Sequence, residues 1–295
     1  LRRLSVCVGL LAPVCLLIGA NEAAADPQGP EIYCGINQTA YCSPAPSYPI
    51  VDYSAELQAS NSTETLINVD GGVYQNGSPA AGLAGVTLRA PVVGVASTPP
   101  YTGGYWVVAS DGGVFSFGGA RFFGSLGGVH LDQPVVGIAA NPRGNGYWLV
   151  SEDGGVFAFG GARFYGSLGG VHLDQPVVGM AATPDGEGYW LVSEDGGVFG
   201  FGDARFYGSL SRVHLDAPVV SIVPTLGGAG YWLVGQDGGV FSFGDAPFYG
   251  SFTDTVKAMG TNLVGGGAAY QAPAAAQVHE GLCVAAANGN VLCQP

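Results

Sequence analysis

The pair Tyr-Trp recurs at Tyr105-Trp106, Tyr147-Trp148, Tyr189-Trp190 and Tyr231-Trp232, each copy 42 residues after the last. Around it a longer string returns in step. Asp-Gly-Gly-Val-Phe begins at Asp111, Asp153, Asp195 and Asp237, and a weaker copy reads Asp70-Gly71-Gly72-Val73-Tyr74. Phe-Gly-x-Ala-Arg-Phe-Tyr-Gly-Ser follows, then a His-Leu-Asp loop at His130, His172 and His214, then Pro-Val-Val at Pro134, Pro176 and Pro218. A period of roughly 20–50 residues marks a repeat architecture, in which each unit buries its apolar surface only against its neighbours. With 51 glycines and no Gly-X-Y period, a collagen helix is excluded.

Each unit carries four strand signals. In the unit taken as reference these are Val135–Ala140, Tyr147–Ser151, Val156–Phe159 and Arg163–Leu168, separated by Asn141-Pro142-Arg143-Gly144, Asp153-Gly154 and Gly160-Gly161. Asp-Gly between two apolar runs is a strong hairpin signal, because both residues tolerate positive φ. Read as a two-residue turn, it sets Val150 opposite Phe157 and Trp148 opposite Phe159 on one face. Tyr147, Leu149, Val156 and Ala158 then share the other. Both faces are apolar, so each sheet must be covered on both sides.

Four-stranded sheets, repeated and stacked face to face, describe an all-β fold of β-propeller type. A β-solenoid is the runner-up. Residues 63–295 hold the repeats, and residues 26–62 form an N-terminal segment. Five hairpins run from Asp70 to Asp237, and Gly281–Val284 with Asn288–Leu292 gives a divergent sixth that lacks an outer strand. Glu31–Cys42 either supplies that strand, making six blades, or forms a hairpin of its own, making seven.

The string Gly-Tyr-Trp-Leu-Val-x-x-Asp-Gly-Gly-Val-Phe-x-Phe-Gly-x-Ala-Arg-Phe-Tyr-Gly-Ser resembles the repeats of exported actinobacterial proteins. The resemblance covers about residues 66–252. In those families such repeats accompany cell-wall or ester hydrolases, or stand without a known activity, so it implies a fold and a compartment rather than a reaction. Ser-Glu-Asp-Gly-Gly also resembles the Asp-box of sialidase propellers, whose boxes are structural hairpins.

Residues 1–25 read as a signal peptide: Arg2 and Arg3, an apolar stretch from Leu4 to Ala20, then Ala23-Ala24-Ala25 before Asp26. No other segment reads as a membrane-crossing helix. Cleavage leaves 7 basic and 21 acidic residues, a balance that excludes a basic nucleic-acid-binding surface. The mature chain keeps Cys34, Cys42, Cys283 and Cys293, an even count that in an exported protein reads as two disulfides. With a two-residue Asn288-Gly289 turn, Cys283 and Cys293 point to opposite faces of their hairpin. Either that turn contains a bulge, or these cysteines bridge to Cys34 and Cys42 and staple the chain ends together.

The Asp-Gly turns and the His-Leu-Asp loops fall on one end of the propeller. That end gathers Asp111, Asp153, Asp195 and Asp237 with His130, Asp132, His172, Asp174, His214 and Asp216. They are the candidate ligand-binding residues, one set per blade. The competing reading has each aspartate capping its turn and each histidine half-buried. No catalytic residue is assigned, because near-copies of one His and one Asp lack the unlike environments that an acid–base pair requires. Ser125, Ser167 and Ser209 lie at strand ends rather than in a Gly-x-Ser-x-Gly elbow. His279 beside Glu280 reads as a solvated loop. Arg121, Arg163 and Arg205 sit on different blades, and Pro247 replaces the next one. One or two carboxylates per turn fall short of a calcium shell, so no metal and no cofactor is expected. Tyr-Trp and Phe-Tyr fall mostly between blades rather than stacking on sugars. Sequons stand at Asn37, Asn61 and Asn76.

The sequence thus points to a secreted, non-enzymatic binding or scaffolding module at the bacterial cell envelope, with a glycan or protein partner. The alternative is a hydrolase of wall glycan or ester with its site in the central funnel.

Overall fold

The computed structural model describes residues 104–260 continuously, with 82–83, 86–98, 262–271, 279–286 and 291–294, and strand segments between residues 3 and 80. The cleavage stretch Ala23–Ala25, Asp70 and the three sequons lie outside the described residues. Arg3–Leu10 and Ala12–Gly19 pair as a separate two-stranded sheet.

The fold is all-β and antiparallel. Sheet I contains Tyr53–Gln58, Thr63–Asn68, Val73–Gln75 and Ser78–Ala80. Tyr53–Gln58, which falls in the N-terminal segment by sequence, is its first strand. Three-stranded sheets follow: sheet II (Val92–Ser97, Gly104–Ala109, Val114–Gly118), sheet III (Val135–Ala140, Gly146–Ser151, Val156–Gly160) and sheet IV (Val177–Ala182, Gly188–Ser193, Val198–Gly202). Sheet V is Val219–Pro224, Gly230–Gly235 and Val240–Gly244; sheet VI is Leu263–Gln271, His279–Ala286 and Val291–Gln294. The first strands of successive sheets lie side by side, from Val92–Ser97 through to Leu263–Gln271. Leu263–Gln271 in turn lies beside Tyr53–Gln58, which lies beside Val92–Ser97. Sheets radiating from neighbouring first strands make a β-propeller.

The core sits between sheets. All six residues of Gly146–Ser151, and of its counterparts in sheets II, IV and V, are buried. Trp148 and Val150 of sheet III cluster with Tyr189 and Leu191 of sheet IV. Trp148 meets Tyr189 at 5.5 Å between ring centroids, a tilted contact that contributes about 0.5–1.5 kcal/mol beyond the area it buries.

Two sequence expectations are corrected. The hairpin register pairs Tyr147 with Phe159, Leu149 with Phe157 and Val150 with Val156, so the loop has three residues rather than two. Gly154 N–H donates to Ser151 O at 2.8 Å, Gly154 takes φ +74°, and Ser151 N–H then donates to Gly155 O at 2.9 Å. A turn followed by a glycine in the left-handed region adds one residue, which moves the third strand's side chains to the other face. Tyr147 therefore shares its face with Phe159, and Trp148 with Ala158.

The second correction concerns Arg163–Leu168, which forms no ladder among the described residues. It runs back from Phe159, whose carbonyl takes Ala162 N–H at 3.3 Å, to Gly154, whose carbonyl takes Leu168 N–H at 2.9 Å. Between those ends, side chains replace the ladder. Trp148 Nε1 donates to Arg163 O at 2.8 Å, and the Tyr189 hydroxyl of the next sheet donates to Gly166 O at 2.6 Å. The Trp bond recurs at Arg121 O, Arg205 O and Pro247 O. Only a carbonyl is needed there, which explains why proline stands in for arginine at position 247. Gly166 has φ +136°, and a Cβ on it would lie 2.6 Å from the Phe201 ring. The segment thus wedges between two sheets instead of extending one.

Candidate functional site

The end of the propeller that carries the Asp-Gly hairpins is assembled by backbone. Glu152 N–H donates to Pro134 O at 3.0 Å, and Val177 N–H of the next sheet donates to Glu152 O at 2.8 Å. Ser110, Glu194 and Gln236 hold the same two bonds in their sheets. The side chain at this position is free to vary because the amide and the carbonyl make the joint.

The turn aspartates are partly buried and engaged. Asp153 Oδ1 accepts the Gly155 N–H at 3.0 Å and the Ser151 hydroxyl at 2.5 Å. Asp195 does the same with Gly197 N–H and the Ser193 hydroxyl. Asp111 and Asp237 accept the N–H of Gly113 and Gly239. These four carboxylates serve their own turns, as the capping reading expects. No group of three or more His, Cys, Asp or Glu side chains placed to hold a metal occurs among the described residues.

The histidine loops differ from that reading. His130, His172 and His214 are exposed rather than half-buried, and so are Asp132, Asp174 and Asp216. Gly128 and Gly170, with φ +86° and +82° and open space around them, turn the chain outward just before the first two loops, and Arg212 holds that place before the third. Val129, Val171 and Val213 follow at 55%, 55% and 53% exposure. Leu131, Leu173 and Leu215 instead anchor the loops against the inter-sheet core. Each loop therefore presents an apolar knob, an imidazole and a carboxylate on a fixed leucine foot. The structure places these three sets on one end as equivalents; it does not draw them into a single cluster.

A fourth copy is absent for a visible reason. After Phe252, whose N–H donates to Gly238 O at 2.8 Å, the chain enters the helix Thr253–Met259. Val256 on that helix is buried, and Gly260 ends it in a left-handed conformation. Leu263 N–H then donates to Gln236 O, so the helix occupies the place of a His-Leu-Asp loop.

The opposite end carries a polar group that sequence reasoning missed. Arg143 of sheet III pairs with Glu187 of sheet IV, and the Tyr165 hydroxyl donates to Glu187 Oε2 at 2.9 Å. The Arg143 guanidinium holds the Glu187 carboxyl below its ordinary value. Asp185 accepts Glu187 N–H and the Thr183 hydroxyl, which hold it low, whereas burial and a hydrogen bond with Asp185 push Asp203 up. The sequence signal was the departure of Thr183-Pro184-Asp185 from Asn141-Pro142-Arg143.

The Phe-Tyr pairs split. Phe164 is 55% exposed and Phe206 62%, while Tyr165 and Tyr207 pack edge-on against Tyr189 and Tyr231. The Tyr-Trp pairs are fully buried from sheet III to sheet V, so they are core and not a sugar-stacking surface.

No protein-family model matches the chain, and no curated protein matches it. Among solved structures it is similar to the β-propeller domain of Cps50 (Swd1) from Myceliophteria thermophila. The identity is 12%, 80% of each chain is covered, and the TM-score is 0.49. No helix among the described residues is long and apolar enough to cross a membrane.

Proposed function

We propose that this chain is a secreted, non-enzymatic β-propeller of six blades that attaches to a glycan or protein of the bacterial cell envelope. The observation that carries the binding reading is the set of three equivalent, exposed Val-His-Leu-Asp loops on one end. The cyclic order of the first strands of sheets I to VI supports a count of six. Ile32–Cys34 lies beside Val291–Gln294, which supports a role for the N-terminal segment in completing the last blade. In blades II to V the wedge segment takes the place of a fourth strand.

Equivalent loops favour several weak contacts whose sum depends on effective concentration, with no single contact dominating. The test is a pull-down on purified envelope with His172→Ala and with His130→Ala, His172→Ala and His214→Ala combined. The single change is expected to weaken binding slightly, and the triple change by much more than three times the single effect. Equal binding by wild type and triple variant would remove this end from consideration.

A further inference from the structure

The turn end has one place where the repeat is broken. The loop entering sheet II reads Val86-Thr87-Leu88-Arg89-Ala90-Pro91, against Val-His-Leu-Asp-x-Pro in the next three. Arg89 stands where Asp132, Asp174 and Asp216 stand, and Thr87 where the histidines stand. On the facing hairpin, Ser110 replaces Glu152 and Glu194, and Ala109 replaces Ser151 and Ser193. Two acidic groups are thus lost and one cation gained.

A cleft of about 370 Å³ lies at this position, with Arg89, Asp111 and Ser125 among its polar lining and Val86, Leu88 and Phe115 among its apolar lining. That volume falls in the small-molecule range of roughly 300–1,000 Å³. Arg89 is exposed and forms no ion pair among the described residues. Asp111 accepts only the Gly113 N–H among the described residues, because Ala109 lacks the hydroxyl that fills the second bond in sheets III and IV. A cation and a carboxylate with spare acceptor capacity therefore line one cleft without pairing with each other.

We infer that this cleft binds a small ligand carrying a carboxylate, a neighbouring N–H donor and an apolar side chain. That is the chemistry of an apolar amino acid, or of the last residue of a peptide. Arg89 takes the carboxylate, for which a guanidinium offers two parallel N–H bonds. Asp111 accepts the N–H, and the wall of Val86, Leu88 and Phe115 takes the apolar part. At the equivalent positions of sheets III and IV, Asp132, Glu152, Asp174 and Glu194 repel a carboxylate.

The test titrates N-acetyl-L-leucine, L-leucine and N-acetyl-L-leucinamide into the whole chain at low salt, followed by ligand-observed NMR. Saturable binding of at least one acid is expected below about 10 mM, with at least about tenfold weakening for the amide and for Arg89→Asp. Arg89→Asp writes into this loop the residue that three sister loops already carry, and thermal unfolding run alongside confirms the fold. Tighter binding of L-leucine identifies a free amino acid as the source, and tighter binding of N-acetyl-L-leucine a peptide C-terminus. No saturable binding by either acid, equal binding of acid and amide, or equal binding by wild type and Arg89→Asp would overturn the inference. The triple histidine variant leaves every side chain lining this cleft unchanged, so the two readings fail separately.

Discussion

The hydroxyl of Tyr189 donates to Gly166 O at 2.6 Å and accepts the Tyr165 N–H at 3.2 Å, satisfying two backbone groups of the preceding repeat with one side chain. Tyr231 repeats this with Gly208 O and Tyr207 N–H, and Tyr147 with Gly124 O and Phe123 N–H. Burial raises the pKa of all three hydroxyls, so they stay protonated and able to donate.

Tyr105 occupies the same position in sheet II, but its buried hydroxyl has no partner among the described residues. Tyr189→Phe is therefore expected to cost about 1–2 kcal/mol, since it strands a carbonyl and an amide. Tyr105→Phe should be neutral or slightly stabilising. Urea unfolding of the two variants checks this, and equal losses would show that the hydroxyl bond is not what distinguishes them.

Asp153 serves its turn rather than a cation. Asp153→Ala should destabilise by about 1 kcal/mol, because Gly155 N–H loses its acceptor and the Ser151 hydroxyl keeps only the longer bond to Gly155 O at 3.2 Å. Added calcium should leave Tm unchanged, since a ligand that binds only the native state raises it by mass action. A calcium-dependent rise abolished by Asp153→Asn with Asp195→Asn would place a cation at these turns.

At the opposite end, the pH dependence has two signs. Asp203 has its folded pKa raised, so its contribution is present below the unfolded value and is lost as pH rises through the folded one. Glu187, held low by Arg143 and Tyr165, contributes above its unfolded value and loses that as pH falls through the folded one. Asp203→Asn should accordingly raise Tm at pH 7, and the two unfolding curves should converge at pH 3. A constant offset across that range would exclude the carboxyl as the cause.

Cys283 and Cys293 are register partners in sheet VI, with the same six-residue separation between the last paired positions, Ala285 and Val291, as between Val150 and Val156. Opposed residues of an antiparallel pair have Cα atoms about 4.5–5.5 Å apart, within the span a disulfide bridges. Of the two alternatives open in the sequence, this register fits the bulged turn. Cys34 and Cys42 are offset by two in their own hairpin, pairing with Ala40 and Ile32. Peptide mapping without reductant should recover Cys283 linked to Cys293; recovery of Cys283 or Cys293 linked to Cys34 or Cys42 would contradict it.

The period, the three paired strands of the reference unit and the burial of Tyr-Trp were legible because apolar spacing and turn residues report them directly. Side-chain parity was not. Asp-Gly suits both a two-residue and a three-residue loop, and the choice depends on whether Gly154 closes onto Ser151. The wedge Arg163–Leu168 reads as a strand because its aromatics are spaced like one. Its backbone partners are an indole and a phenol from other strands, which strand spacing does not reveal. The Arg89 cleft was hidden by arithmetic: Val92 precedes Val135 by 43 residues rather than 42, so a fixed period misaligns that loop.

The neighbouring of Tyr53–Gln58 and Leu263–Gln271 has a kinetic consequence. Every other junction between first strands of sheets I to VI joins sheets that are consecutive along the chain, and it can form as soon as both are made. This one must wait for nearly the whole polypeptide, and it bears the largest loop-closure entropy, which grows as about (3/2)RT ln n. The molecule is therefore a clasped bracelet: it fastens last at the meeting of its two ends, and under heat or tension it unfastens there first.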